Sequence, residues 1–187
     1  MALDTRQLVI TSLKIIGAGG LMGVAAVAPN TVMAFEKLGV FDTQTPNHKR
    51  HRLLAELRRQ GLIFESTDGD QMRLQLSVKG IHRLQRIEIE ELTINNPRTW
   101  DKKWRMVMFD IPTRRQESRY LLTSQLRRLG FVMIQRSFWV HPHPCFEVVE
   151  KVVVYANVQQ FVSVAEISRI DETTTKRLLR HYPGLSA

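Results

Sequence analysis

One cysteine, Cys145, stands in a chain of 187 residues. A lone thiol makes no internal disulfide and no Cys-x-x-Cys redox or zinc pair, so a reducing cytoplasm is the expected compartment. Acids are scarce beside bases, with 18 Asp and Glu against 27 Lys and Arg and a formal net charge of +9. The resulting pI near 10.2 makes polyanions, nucleic acid first, the expected partner class. Aromatic residues are only 7% of the chain, yet 43% of it is hydrophobic, which excludes a disordered chain and fits a folded core. Long apolar runs are also wanting. In Leu8 to Ala28, Thr11, Ser12 and Lys14 break the run, and the uninterrupted remainder, Ile15 to Ala28, is shorter than the roughly 20 residues of a membrane span. Val24-Ala25-Ala26-Val27-Ala28 has the look of a signal-peptidase site, but a buried first helix is the expectation, with no membrane partner. Glycines within Ile15 to Gly23 invite a dinucleotide-binding reading, which fails because Met22 stands where the third glycine of GxGxxG belongs.

The remaining sequence divides into two halves, residues 1–95 and 96–187. In the first, Asp4 and Gln7 are spaced as a capping box for a helix running into the mid-twenties. Pro29 and Asn30 interrupt it. A short second helix is predicted over Thr31 to Leu38, and a third from about His48 to Gln60, with Leu53, Leu54 and Leu57 on its inner face and Gly61 as its stop. The third carries His48, Lys49, Arg50, His51 and Arg52 at its start and Arg58 and Arg59 at its end. Cations at a helix N-terminus oppose the helix dipole, yet they suit a recognition helix whose first turns meet bases and phosphates. A solvated charged face is the plainer reading of a basic run. Two strands around Thr67-Asp68-Gly69-Asp70 then predict a hairpin, and a hairpin directly after a basic helix is a wing. His48, Lys49, Arg50, Arg52, Arg58, Arg59 and, on the wing, Arg73 are therefore the candidate DNA-binding residues. Arg50 and Arg52 are the expected base readers, by bidentate contact to guanine.

This half, in Arg50 to Ile63 and in Leu76-Ser77-Val78-Lys79-Gly80, resembles the winged-helix domain of the PaaX family of bacterial repressors. An amphipathic helix extends beyond Gly80 through Ile81, Leu84 and Ile87 and ends before Asn95-Asn96-Pro97.

The second half reads β-α-β-β-α-β: Trp104 to Phe109, a helix to Leu129 begun by a Thr113/Gln116 capping box, Phe131 to Ile134, Phe138 to Val140, Cys145 to Tyr155, and Gln160 to Ile167. Val107-Met108-Phe109-Asp110-Ile111-Pro112, Leu129-Gly130-Phe131 and Gln135-Arg136-Ser137-Phe138-Trp139-Val140 resemble the central domain of PaaX regulators, which is similar to the dimeric, ferredoxin-like CRISPR adaptation protein Cas-two. The resemblance implies a homodimer and, because the chain stops after this domain, a PaaX-type protein without the family's C-terminal portion.

It also raises an alternative: a metal-dependent nuclease or DNA-integration adaptor in which Asp110 from two protomers holds magnesium. The plainer reading of Asp110 is a strand-end carboxylate bonded to the Thr113–Arg115 turn or paired with Arg114 or Arg115. His141, His143 and Cys145 likewise read as a turn before a metal site, and Trp100, Trp104 and Trp139 as packing before base stacking. The expectation is an α+β chain, a winged helix-turn-helix followed by a ferredoxin-like dimerisation domain with a short C-terminal helix. It binds double-stranded DNA as a homodimeric transcriptional regulator, a repressor, with no cofactor, or magnesium if it is a nuclease.

Overall fold

The computed structural model describes residues 5–18, 26–28, 33, 35, 36, 38, 40, 41, 45–69 and 71–185. The chain divides into two compact units, Met1–Glu88 and Ile89–Ala187. No helix among the described residues is long and apolar enough to cross a membrane.

In unit 1, helix α1 is described over Thr5–Ala18 and Ala26–Ala28 forms strand β1, so the expected buried helix does not continue to Ala28; residues 19–25, where its expected end falls, lie outside the described residues. The β-branched Val27 at the centre of β1 favours a strand over a helix there. Residues 33, 35 and 36 are helical, and the rest of the predicted second helix lies partly outside the described residues, as does the Asp4 cap. Helix α2 (Asn47–Arg59), strands β2 (Ile63–Asp68) and β3 (Gln71–Leu76) and helix α3 (Val78–Glu91) follow, the last three residues of α3 falling in unit 2. The sheet order is β1-β3-β2, antiparallel throughout. Asp68 pairs with Gln71, so the hairpin loop is two residues long, and Gly69, at φ +61°, supplies the positive φ that such a turn needs.

Leu13, Phe35, Leu53, Leu57, Leu62 and Leu74 are among the residues of one core in this unit. The buried Ser12 hydroxyl is satisfied by the Leu8 carbonyl at 2.7 Å. Ser77 starts α3: its Oγ accepts from the Gly80 N–H at 2.9 Å and donates to the Gly61 carbonyl at 2.6 Å. Gly80 is needed where it stands, since a Cβ there would lie 2.0 Å from the Leu62 carbonyl oxygen.

Unit 2 contains strand β4 (Trp104–Phe109), a 3-10 turn (Thr113–Arg115), helix α4 (Gln116–Arg128), β5 (Val132–Gln135), β6 (Phe138–His141), α5 (Phe146–Tyr155), β7 (Val162–Ile167) and α6 (Glu172–His181). The antiparallel sheet has the order β5-β6-β4-β7, the split-βαβ arrangement of a ferredoxin-like fold. The expected Thr113/Gln116 capping box is absent. Pro112 precedes a 3-10 turn there, and no side chain caps either start. Val107, Phe109, Leu122, Leu126, Trp139, Val149 and Val152 form the core on the α4 and α5 side. Trp104, Val132, Val140 and Leu178 form a smaller one that includes α6.

Candidate nucleic-acid interface

Helix α2 is held at both ends by its backbone. Pro46 precedes it at φ −61°, and its carbonyl accepts from the N–H groups of Lys49 and Arg50 at 3.0 and 3.2 Å. No side chain caps this end and no acid lies in the first turn, so the partial positive charge of the helix N-terminus adds to that of the cations there. At the other end Gly61 adopts φ +64°. The N–H groups of Gly61 and Leu62 reach the carbonyls of Arg58 and Leu57, both at 2.9 Å, which is a Schellman stop.

Burial of Leu53, Leu54 and Leu57 fixes the helix's rotation. At 100° per residue the opposite stripe is His48, Arg52, Ala55 and Arg59, flanked by His51 and Arg58, and all six are exposed. The small Ala55 in the middle of that stripe leaves room for close approach of a partner.

The arginines divide by their neighbours. Arg50, whose side chain is 11% exposed, lies on the inner flank. It pairs with Glu36, donates from Nε to the Thr45 carbonyl at 2.7 Å and sits 5.6 Å from the Phe41 ring centroid. Its guanidinium therefore ties the segment around Phe41 to α2. Arg58 bridges to Glu65 on β2 at 3.1 Å, and Arg59 bridges to Glu56 at 2.6 Å. Hydrogen bonds from Arg59 and Gln60, with the charge of Arg52 nearby, hold the Glu56 carboxyl down at about 2. Positive charge in the C-terminal half of α2 is thus largely met by acids. Among the described residues His48, Lys49, His51 and Arg52 form no salt bridge, and Arg52 meets Glu56 only through a longer-range attraction, so the charge of Lys49 and Arg52 in the N-terminal half is less closely met by acids. Arg73 is placed by its backbone on β3, paired with Ser66, and its side chain lies outside the described residues.

In unit 2, Asp110 is exposed at the end of β4, with its N–H donated to the Phe161 carbonyl at 2.9 Å. The expected pairing with Arg115 is not made, because Arg115 donates to the Asn157 carbonyl at 2.9 Å and lies over the Phe161 ring. His141, His143 and Cys145 lie in and after the β6 end, buried. Burial pushes the His141 imidazole down to about 4 and the Cys145 thiol up to about 12. No group of three His, Cys, Asp or Glu among the described residues is placed to hold a metal ion. The tryptophans pack: Trp104 and Trp139 are buried, and the Trp100 indole N–H donates to the carbonyls of Lys103 and Pro142.

Sequence reasoning missed the buried Arg105. It is 2% exposed, paired with Asp101 and, at 2.8 Å, with Glu166, and it donates to the Pro142 carbonyl at 2.9 Å. Its bonds and those of Lys103 hold the Asp101 and Glu166 carboxyls below their ordinary range. An arginine at an inward position of a strand, with acids nearby in sequence, was the available signal.

This unit has a counterpart among known families. Residues 97–179 match the family model of the PaaX protein central Cas2-like domain. The matched Cas2-like stretch takes in the whole β4 to β7 sheet, both helices packed with its core and most of α6. Trp139 and Phe109, two of the residues by which the sequence resembles PaaX regulators, are core residues of this Cas2-like unit. No curated protein matches the chain.

Proposed function

We propose that the chain is a PaaX-type DNA-binding transcriptional regulator, a repressor working in the cytoplasm. In this reading unit 1 is a winged helix-turn-helix and the Cas2-like unit pairs two copies into a homodimer. The observation that carries it is α2: a helix whose outward N-terminal half presents His48, Lys49, His51 and Arg52 without salt bridges, followed directly by a two-residue hairpin. The β1-β3-β2 sheet of the same unit and the Cas2-like match of unit 2 favour the same reading. Two copies of α2 in a dimer would address half-sites separated by about one helical turn of DNA.

The division among the arginines supports the following roles. Arg52 reads a base edge, with His48 and Lys49 on phosphates, Arg58 and Arg59 at the margin of the contact, and Arg73 on the wing contacting backbone. Arg50, one of the two base readers expected from the sequence, already spends its donors within the fold and supports the helix instead. Arg52→Ala is therefore expected to weaken binding to the preferred duplex by about 1 to 3 kcal/mol and to relax preference at one base pair, while Arg50→Ala chiefly destabilises unit 1. Binding isotherms on specific and scrambled duplexes, beside thermal unfolding, separate the two. An Arg52→Ala protein with unchanged affinity and preference would remove α2 as the reading element.

A further inference from the structure

We propose that unit 2 carries a second phosphate-binding surface, formed by Arg114, Arg115, Arg119 and Arg136, which grips the backbone of duplex DNA beside the sequence read by unit 1. The inference rests on the reading of unit 1 as a DNA-binding domain. The end of β4 brings these residues together. The Phe109 N–H donates to the Ser137 carbonyl at 3.1 Å, which puts the Arg136–Ser137 turn beside it, and the Asp110 N–H donates to the Phe161 carbonyl at 2.9 Å. Arg119 lies 5.7 Å from the Phe109 ring centroid and Arg115 lies 5.4 Å from that of Phe161.

Arg115 and Arg119 are four apart, so they share one side of the turn leading into α4. Their charge is anchored on aromatic faces and, for Arg115, on the Asn157 carbonyl, where Arg50, Arg58 and Arg59 of α2 are anchored on carboxylates. A guanidinium held over a ring keeps its positive charge and directs its remaining N–H donors outward along its plane, which suits phosphate. Arg114 and Arg136 are exposed beside them. The acids of this neighbourhood are Asp110 and Glu117, two against four arginines. Unit 2 is also the more basic part of the chain: residues 96–187 hold 15 Lys and Arg against 8 Asp and Glu, while residues 1–95 hold 12 against 10. Contacts of this kind are indifferent to base sequence and fall away steeply with salt.

The test measures full-length protein binding to a long duplex containing the preferred sequence, and to a scrambled duplex of the same length, across a salt series. Two variants are compared with the native chain: Arg115→Ala with Arg119→Ala, and Arg114→Ala with Arg136→Ala. The second changes exposed side chains only and so keeps the test valid if the first unfolds. Each pair is expected to lower affinity for both duplexes by the same factor, about tenfold or more near physiological salt. The log-log salt slope is expected to become shallower by about 0.9 per lost contact, with base preference unchanged. Unchanged affinity and slope in a folded Arg114→Ala, Arg136→Ala protein would overturn the proposal, as would polyglutamate competing as well as duplex DNA, which would mark an acidic-protein surface. If the native chain shows no base preference but its salt-dependent binding is lost in these variants, the surface stands and the reading of unit 1 falls. If the native chain binds no duplex at all, both fall.

Discussion

Leu57-Arg58-Arg59-Gln60-Gly61-Leu62 in unit 1 and Leu126-Arg127-Arg128-Leu129-Gly130-Phe131 in unit 2 end a helix and lead into a strand by the same device. Gly61 has φ +64° and Gly130 has φ +87°. In each case the residue after glycine returns its N–H to the carbonyl five positions back, at 2.9 and 3.0 Å, and those two residues are apolar and buried together. The paired arginines, however, go to different partners. Arg58 and Arg59 meet Glu65 and Glu56. Arg127 lies 5.2 Å from the Trp139 ring centroid, and Arg128 donates to the Ile89 and Leu92 carbonyls at 2.7 and 2.9 Å, closing the end of α3. The glycine and its apolar pair set the turn; the neighbourhood decides what the arginines do.

The largest expected effect separates the units at Gly80, which has no counterpart after Phe131. A Cβ at this position meets backbone, which has little freedom to yield. Gly80→Ala is expected to destabilise unit 1 by about 3 kcal/mol or more, visible as loss of hydrogen-exchange protection in α1 to α3 while the sheet of unit 2 keeps its own. Equal loss in both units would mean that they do not fold separately.

Acid separates them in the other direction. His141 is buried and neutral with its pKa lowered to about 4, whereas His48, His51 and His82 of unit 1 are exposed. Between about pH 6.5 and 4 the unfolded chain binds a proton at His141 that the folded chain refuses, so stability falls as pH falls through that window, by about 3 kcal/mol in all. Denaturant unfolding followed by the fluorescence of the three tryptophans, all in unit 2, should show this slope, and His141→Gln should lessen it, leaving the part owed to His143, whose burial also holds it below its ordinary range. A native slope that persists undiminished in the variant would assign the effect elsewhere.

Gly61→Ala and Gly130→Ala probe the shared device itself. Each is expected to cost about 1 kcal/mol, because alanine resists positive φ, and similar losses at both sites would show the turns to be equivalent. Smaller still is the contrast between their arginines. Arg58→Ala removes an exposed ion pair and should cost about 0.5 kcal/mol, fading in high salt. Arg128→Ala removes two hydrogen bonds to helix-end carbonyls and should cost about 1 kcal/mol with little salt dependence. A reversed salt dependence would break the distinction drawn between the units.

Much of the fold is legible in the chain because it depends on local pattern. Asp-Gly at the hairpin, Gly61 and Gly130 as stops, and the alternation of strands and helices after Trp104 each act through a few adjacent residues. Strand β1 is not legible in this way, because a short apolar run such as Ala26-Val27-Ala28 does not separate helix from strand. The Thr113 cap fails because Pro112 opens a 3-10 turn first. The roles of Arg50 and Arg105 are hidden for another reason: their partners Glu36, Phe41, Pro142 and Glu166 come from distant parts of the chain, and burial of a charge is decided by tertiary packing. Within the candidate interface the sequence locates the basic helix, and only the packing of Leu53, Leu54 and Leu57 shows which cations face outward.

The central claim, that outward-facing α2 reads DNA sequence, is tested most directly by selecting duplexes from a random pool with the native chain and with Arg52→Ala. The native chain is expected to enrich a two-fold symmetric sequence with half-sites about one helical turn apart, and Arg52→Ala to lose preference at one position in each half-site. A native protein that retains all duplexes alike, or an Arg52→Ala protein that enriches the same sequence as strongly, would contradict it.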